Sequence, residues 1–196
     1  MKIRNSLKTT LDKSIALLTL LALSPVLLMV YTAIYLEDRA NPIFKQKRLG
    51  KDGVIFSMYK FRTMKPNAPD LRSKDGGTFN AENDPRVTRV GRFLRKTSLD
   101  ELPQLLNILK GEMSFIGPRP DLPDQIKLYE EDDKKRLQVR PGITGYAQVM
   151  GRNSLGFRER FKYDIEYVEN YSLLFDLKIL IKTVAVVFKR ENVNRK

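Results

Sequence analysis

The chain has 196 residues, with 36 Lys and Arg against 23 Asp and Glu, for a formal net charge of +13. It has no cysteine and no histidine, which excludes disulfides, thiolate and imidazole metal sites and serine–histidine triads. Any catalysis must draw on carboxylates, Lys, Arg, Tyr, hydroxyls or an oxygen-held metal, and the basic balance points to an anionic partner: a phosphate-bearing substrate, anionic lipid or nucleic acid.

The first element is SIALLTLLALSPVLLMVYTAIYL, Ser14 to Leu36, which carries no charge. As a helix rising about 1.5 Å per residue it is long enough to cross a bilayer core of roughly 30 Å. It does not read as a cleaved signal peptide, because the apolar run is too long and no small-residue cleavage site follows it. Ser24-Pro25 stands at its midpoint, where proline removes a backbone donor and crowds the preceding turn.

Two topologies are open. A spanning helix kinked at Pro25 is one, since membrane helices tolerate proline. A re-entrant helix, broken at Ser24-Pro25 and leaving by the face it entered, is the other, and the flanks favour it. Lys2, Arg4, Lys8 and Lys13 precede the segment, while Arg39, Lys45, Lys47, Arg48 and Lys51 follow it. Basic flanks prefer the cytoplasm, and only a re-entrant hairpin places both flanks there. The Ser24 hydroxyl can bond a carbonyl that Pro25 leaves free.

After Leu36 the composition becomes mixed and globular. IFKQKRLGKDGVIFSMYKFRTM, Ile43 to Met64, predicts a β-hairpin turning at Asp52-Gly53. Lys65 to Asp84 is long, polar and rich in Pro and Gly, the pattern of a functional lid or a disordered loop. A short helix is expected over Val90 to Lys96, then a second from Asp100 to Lys110 closed by Gly111, with Leu102, Leu105, Leu106 and Leu109 on its core face.

DLPDQIKLYEEDDKKRLQVRPG predicts a charged helix stopped at Pro141-Gly142, with Glu130 to Asp133 on a solvated face. A further helix holds Phe157, Phe161, Ile165 and Val168. The last apolar stretch, Ser172 to Arg190, puts Leu174, Leu177, Ile181, Val184 and Phe188 on one stripe, with Lys178, Lys182 and Lys189 elsewhere. That stripe suits a core helix or one lying in a membrane interface with its lysines snorkelling outward.

The chemistry concentrates between Arg86 and Pro120. Ser98 followed by Glu101 is a capping-box pattern, and Pro103 fits a first helical turn. Asp100 and Glu101 therefore fall at a helix start. On spacing alone they only cap that helix and complement its dipole; adjacent carboxylates there are also a compact way to hold Mg²⁺ and present an ionised nucleophile. Arg86, Arg89, Arg92, Arg95 and Arg119 supply more cations than two carboxylates need. Arginine forks bind phosphate bidentately, which suits a diphosphate substrate, and GPRP fixes Arg119 between two prolines. There is no P-loop and no dinucleotide fingerprint.

These motifs make the chain resemble the bacterial sugar transferases, the small monotopic phosphoglycosyl transferases. The resemblance runs through the Ser24-Pro25 break, KFRTM, SLDELPQLLNILKGEMSFIGPRP, RPGITGYAQVMGRN and YDIEYVENYSLLFDLKIL. It implies an α+β protein: a re-entrant membrane helix-break-helix over residues 1–36, then a catalytic domain over 37–196 with a β-hairpin and interfacial helices. It also implies a monotopic protein of the bacterial inner membrane, with both termini and the active site on the cytoplasmic face.

The implied activity moves a sugar 1-phosphate from a UDP-sugar to polyprenyl (undecaprenyl) phosphate and releases UMP, as the first membrane step of surface glycan, exopolysaccharide or glycoprotein oligosaccharide assembly. By motif position Asp100 is the nucleophile, forming a covalent aspartyl-phosphosugar, and Glu101 its Mg²⁺-associated partner, so both are metal-site candidates. Arg95 and Arg119 hold phosphate. Asp164 and Asp176 match acidic positions of the closing motif and are open to either a site role or an ion-pair role. Members often carry a tryptophan after GRN; this chain has none, and Phe157 stands nearby.

Two other readings remain. One is the same transfer through a ternary complex without a covalent step. The other is a non-catalytic, membrane-anchored basic binding module. Against nucleic acid as partner, the arginines cluster beside Asp100 and Glu101 instead of interleaving with stacking aromatics.

Overall fold

The computed structural model describes residues 2–71, 84–151 and 155–189, and among these the side chains of all but 2–5 and 187–189. The protein is α+β, as expected. A long helix α1 (Lys2–Asp38) leads into a hairpin of β1 (Ile43–Leu49) and β2 (Ile55–Phe61). Helices α2 (Arg89–Thr97) and α3 (Gln104–Lys110) follow, then β3 (Ser114–Ile116) and β4 (Gly142–Thr144), then α4 (Tyr146–Gly151), α5 (Phe157–Glu169) and α6 (Leu173–Lys189). Most of the polar stretch from Lys65 to Asp84, both Arg152 and Asn153 of the GRN motif, and the side chains of Phe188 and Lys189 lie outside the described residues.

α1 remains helical through Pro25, so the expected break is not a break in the helix itself. The reason is local. Ser24 Oγ donates to Leu21 O at 2.8 Å, the carbonyl four residues before Pro25 that the proline cannot serve. The helix is long and apolar enough to cross a membrane by length and composition, yet both of its halves rest on one body. Before Pro25, Ala16 is fully buried among Phe56, Met58, Leu105, Ile108 and Met113, with Leu20 alongside. After it, Val30 and Ile34 pack with Phe61 and Leu94, flanked by Leu27. Leu102 touches both clusters.

Charged contacts fasten the two ends of α1. Near its start, Lys8 Nζ lies 2.7 Å from Asp176 of α6, and Arg140 Nη2 donates to Asp12 at 3.0 Å. At its end, Arg62 forks onto both oxygens of Asp38, and Glu37 Oε1 accepts the Arg89 N–H at 2.9 Å. The opposite face of α1, with Leu17, Leu18, Leu21, Leu28, Met29 and Leu36, is exposed.

The hairpin turns at Asp52-Gly53 as its sequence requires, both residues having positive φ, with Ile43 opposite Phe61 and Leu49 opposite Ile55. β3 and β4 form a short parallel pair that the pattern of apolar residues did not announce. Three glycines let this pair close. A Cβ on Gly117 would meet Arg140 O at 2.3 Å, one on Gly142 the Gly117 nitrogen at 2.2 Å, and one on Gly145 the Gly117 carbonyl at 2.1 Å.

Two local expectations are corrected, and one of the two readings open for the last apolar stripe is excluded. The segment after Asp121 is not an α-helix but two 3₁₀ stretches, Pro123–Leu128 and Asp132–Gln138. The chain is extended at Tyr129 between them, and Asp133 is buried, accepting from Glu130 N and Arg158, so it is not on a solvated face. On α3, Leu106 is exposed, and Ile108 and the amide of Asn107 take the buried positions. On α6, Leu174, Leu177, Ile181 and Val184 are exposed while Asp176 and Ile179 are buried, so the apolar stripe is not core.

Candidate active site

The site begins with a chain reversal. Thr88 Oγ1 caps α2 by accepting from Gly91 N at 2.9 Å, and Leu94 seats the helix in the core. Gly91 allows α2 to lie directly on the chain beyond β2, since a Cβ there would meet Thr63 O at 2.1 Å. At its C-terminus α2 is closed by Ser98 in the left-handed conformation, φ 57°, whose N–H reaches back to Arg95 O and Leu94 O. That use of Ser98 overturns the capping box: its hydroxyl does not cap the next turn. Leu99–Glu101 form one 3₁₀ turn, and Leu102 and Pro103 continue helically into α3. Asp100 and Glu101 are thus presented on a tight turn between two helices.

Asn107 fixes α3 against the hairpin. Its Oδ1 accepts from Tyr59 N at 3.0 Å and its Nδ2 donates to Ser57 O at 2.8 Å and Glu112 Oε2 at 2.7 Å. The next residue of β2, Lys60, shares the strand face of Phe56 and Met58 and reaches inward to Glu101 Oε1 at 2.6 Å. Arg119 Nη2 donates to the same oxygen at 3.0 Å. Two cations therefore meet on one carboxylate oxygen, and among the described residues neither Glu101 Oε2 nor the Asp100 carboxylate accepts a hydrogen bond.

The electrostatics separate the two acids. Burial pushes the Asp100 carboxyl above its usual range and the negative charge of Glu101 adds to this, while Lys60, Arg119 and Arg95 pull it down. Glu101 is also desolvated, but Lys60 and Arg119 outweigh that and hold it well below the ordinary carboxylate range. Arg95 donates through Nε to Thr63 Oγ1 at 2.9 Å, and the charge of Asp100 offsets part of the cost of its burial.

The other sequence candidates sort differently. Arg86 is spent on Asp84, gripping it through Nε and Nη2, and on Pro69 O; Arg89 and Arg92 face outward. Asp164 and Asp176 are both buried, and each answers a cation from another element. Asp164 Oδ2 accepts from Arg136 at 2.7 and 3.0 Å. Asp176 accepts from Lys8 and, through Oδ1, from the Tyr167 hydroxyl at 2.7 Å. Neither touches Asp100 or Glu101, so the ion-pair reading describes them. Phe157 stacks near Phe161, ring centroids 4.4 Å apart, and the Arg136 guanidinium lies over Phe161 at 4.3 Å.

Lys60 escaped the sequence reading, although a lysine in step with two apolar residues of one strand face signals a buried acidic partner. Asp100 and Glu101 suit a hard divalent cation of the Mg²⁺ kind, which takes one or two carboxylates and completes its shell with phosphate oxygens and water. Among the described residues no group of three or more acidic side chains stands close enough to hold a metal ion by itself.

The family model of the bacterial sugar transferases matches residues 3–190. A sugar transferase of Haemophilus influenzae is 44% identical over 196 aligned positions, covering 94% of this chain and 41% of that protein. An exopolysaccharide production protein of Sinorhizobium fredii, ExoY, is 42% identical, covering 92% of this chain and 84% of that one. An undecaprenyl-phosphate galactose phosphotransferase of Salmonella typhimurium is 40% identical, covering 94% and 41%. The chain therefore spans less than half the length of the first and third of these relatives.

Proposed function

The chain belongs to the bacterial sugar transferase family, and from that membership we propose that it transfers a sugar 1-phosphate from a UDP-sugar to undecaprenyl phosphate at a membrane surface, releasing UMP. The observation that carries this reading is the Asp100-Glu101 turn ringed by Lys60, Arg95 and Arg119 on a body with exposed apolar faces on α1 and α6. A phosphate-binding site beside apolar surface suits a donor from water and an acceptor from lipid.

Asp100 is the nucleophile in this scheme. An oxygen of its carboxylate bonds to the phosphorus that bears the sugar while the bond from that phosphorus to the bridging oxygen breaks, and UMP leaves with the electron pair. An oxygen of undecaprenyl phosphate then bonds to the same phosphorus and the carboxylate departs. Lys60 and Arg119 keep Glu101 ionised and Arg119 and Arg95 face the phosphates. Asp100 and Glu101 are the residues that would hold a Mg²⁺ ion, which would offset charge repulsion between the acids and the diphosphate.

The seat of α1 supports the re-entrant topology. Both halves of α1 pack on one body and both ends are ion-paired to it, which favours a helix that keeps its two flanks on the same side of the bilayer over one that crosses. Both termini and the site then lie on the cytoplasmic face, with the exposed stripes of α1 and α6 in the lipid.

The test is a panel of UDP-sugars with undecaprenyl phosphate, scored by UMP release, with and without chelator. Without acceptor the enzyme should release one equivalent of UMP and gain the mass of one sugar phosphate on Asp100. Turnover with acceptor but neither burst nor adduct without it establishes the ternary complex, and no UMP release with any donor removes the reading.

A further inference from the structure

The loop that carries Arg119 is held in an unusual way. Four consecutive carbonyls, from Pro118 to Asp121, each accept a hydrogen bond from a different residue. Gly142 N donates to Pro118 O at 3.0 Å and Leu49 N to Asp121 O at 2.9 Å. Arg136 Nη2 donates to Arg119 O at 2.9 Å, and Arg48 Nη1 to Pro120 O at 3.1 Å. The Arg119 side chain, by contrast, is 47% exposed, with Glu101 as its ion-pair partner. Its backbone is therefore fixed residue by residue, while the tip of its side chain is held by Glu101.

Of the two side-chain donors, Arg136 is the more deeply buried. Its side chain is 4% exposed and lies over the Phe161 ring. One guanidinium nitrogen donates to Asp121 Oδ2 and the Tyr129 hydroxyl, and two others to Asp164 Oδ2. The fourth group it serves is the Arg119 carbonyl. A planar fork with five donors can face two carboxylates, a hydroxyl and a carbonyl at once; an ammonium cannot. A buried cation with two acidic partners and one backbone carbonyl has a fixed geometry, and that carbonyl belongs to the residue that reaches Glu101.

We propose that Arg136 is a positioning residue for the phosphate clamp: held by Asp121 and Asp164 and stacked on Phe161, it fixes the backbone of Arg119 and so sets where the Arg119 guanidinium meets a diphosphate. This rests on the reading of Arg119 as a phosphate ligand. It gives Asp164 a task at one remove from the chemistry, and it gives the extended break at Tyr129 a reason, since that break brings the tyrosine hydroxyl onto the same guanidinium.

The test is a double-mutant cycle of Arg136→Lys and Arg119→Ala in the membrane-reconstituted protein. It is read as UDP affinity by titration calorimetry with Mg²⁺ present and as kcat/KM for UMP release. If Arg136 acts through Arg119, Arg136→Lys lowers UDP affinity and kcat/KM about tenfold alone, the scale expected of a misplaced binding group. It then adds less than about twofold on the Arg119→Ala background. Equal losses on both backgrounds make Arg136 a structural residue only and overturn the proposal. Should Arg136→Lys fail to fold, Asp164→Asn enters the same cycle, because it weakens the acceptor of two guanidinium N–H groups and loosens the fork that fixes Arg119. A wild-type protein that releases no UMP removes the transferase reading, while the cycle on UDP affinity still decides the role of Arg136.

Discussion

Lys60 Nζ lies 2.6 Å from Glu101 Oε1, so the core-facing side of a β-strand ends in a cation aimed at an acid next to the proposed nucleophile. Lys60 lowers the proton affinity of both Glu101 and Asp100. Lys60→Met removes that pull and leaves desolvation less opposed. Its kcat/KM for UMP release should fall by about 10- to 100-fold at neutral pH. The acid limb of its pH–rate profile should move to higher pH. An unchanged acid limb would show that Lys60 does not tune the two acids.

Asp100→Asn should abolish turnover and raise stability at neutral pH. Burial raises the folded-state pKa of Asp100 above its unfolded value, so the folded protein binds that proton more tightly. Its stability contribution is full below the unfolded pKa and is lost as pH rises through the folded one. The amide removes the penalty that operates above that window. Thermal unfolding should show Asp100→Asn above wild type near pH 7.5 and the two converging as pH falls below the ordinary carboxylate range. A lower midpoint than wild type at pH 7.5 would contradict this.

Because the chain has no cysteine, single introduced thiols report topology without background. Ser6→Cys and Asp52→Cys, both at exposed positions, should be shielded from an impermeant maleimide in intact cells and react after permeabilisation. Labelling of Ser6→Cys alone in intact cells establishes a spanning α1. Pro25→Ala restores the N–H that Leu21 O lacks and frees Ser24 Oγ from that carbonyl. It should shift a fraction of the protein toward the spanning form with a matching loss of activity.

Lys8→Met leaves the buried Asp176 with Tyr167 as its one side-chain hydrogen-bond partner among the described residues. Breaking a buried pair from one side costs about 3–5 kcal/mol, and urea titration should show a loss of that size. The double variant Lys8→Met/Asp176→Leu should recover much of it, because neither charge remains to be desolvated. A recovery of less than about 1 kcal/mol would mean that the pair does more than satisfy its own charges.

The hairpin, α2, α5 and α6 were legible because each rests on a local signal: Asp-Gly for the turn and apolar spacing for the helices. The Ser24–Leu21 contact was legible for the same reason, being three residues long. What escaped was non-local. Nothing near Asp121 announces that Arg136 will need a buried place beside Asp164, and that demand replaces a charged helix with two 3₁₀ turns. The parallel pairing of β3 with β4 joins segments of three residues each, too short for any period to show. Ser98 misled because its motif is defined by side chains, whereas the fold uses its backbone in the left-handed conformation.

The order in which the chain leaves the ribosome matters for this site. The hairpin, Asp100 and Glu101 can be assembled once α3 has emerged, and β1 can already tie Pro120 O and Asp121 O. Arg119 itself must wait for Arg136, and the Gly117–Gly142–Gly145 contact needs a closure across more than twenty residues. A nascent chain therefore carries its two acids before it carries a finished clamp. Under the proposed function, affinity for a diphosphate is acquired late, when the parallel pair has formed, and an incomplete chain at the membrane does not yet hold donor.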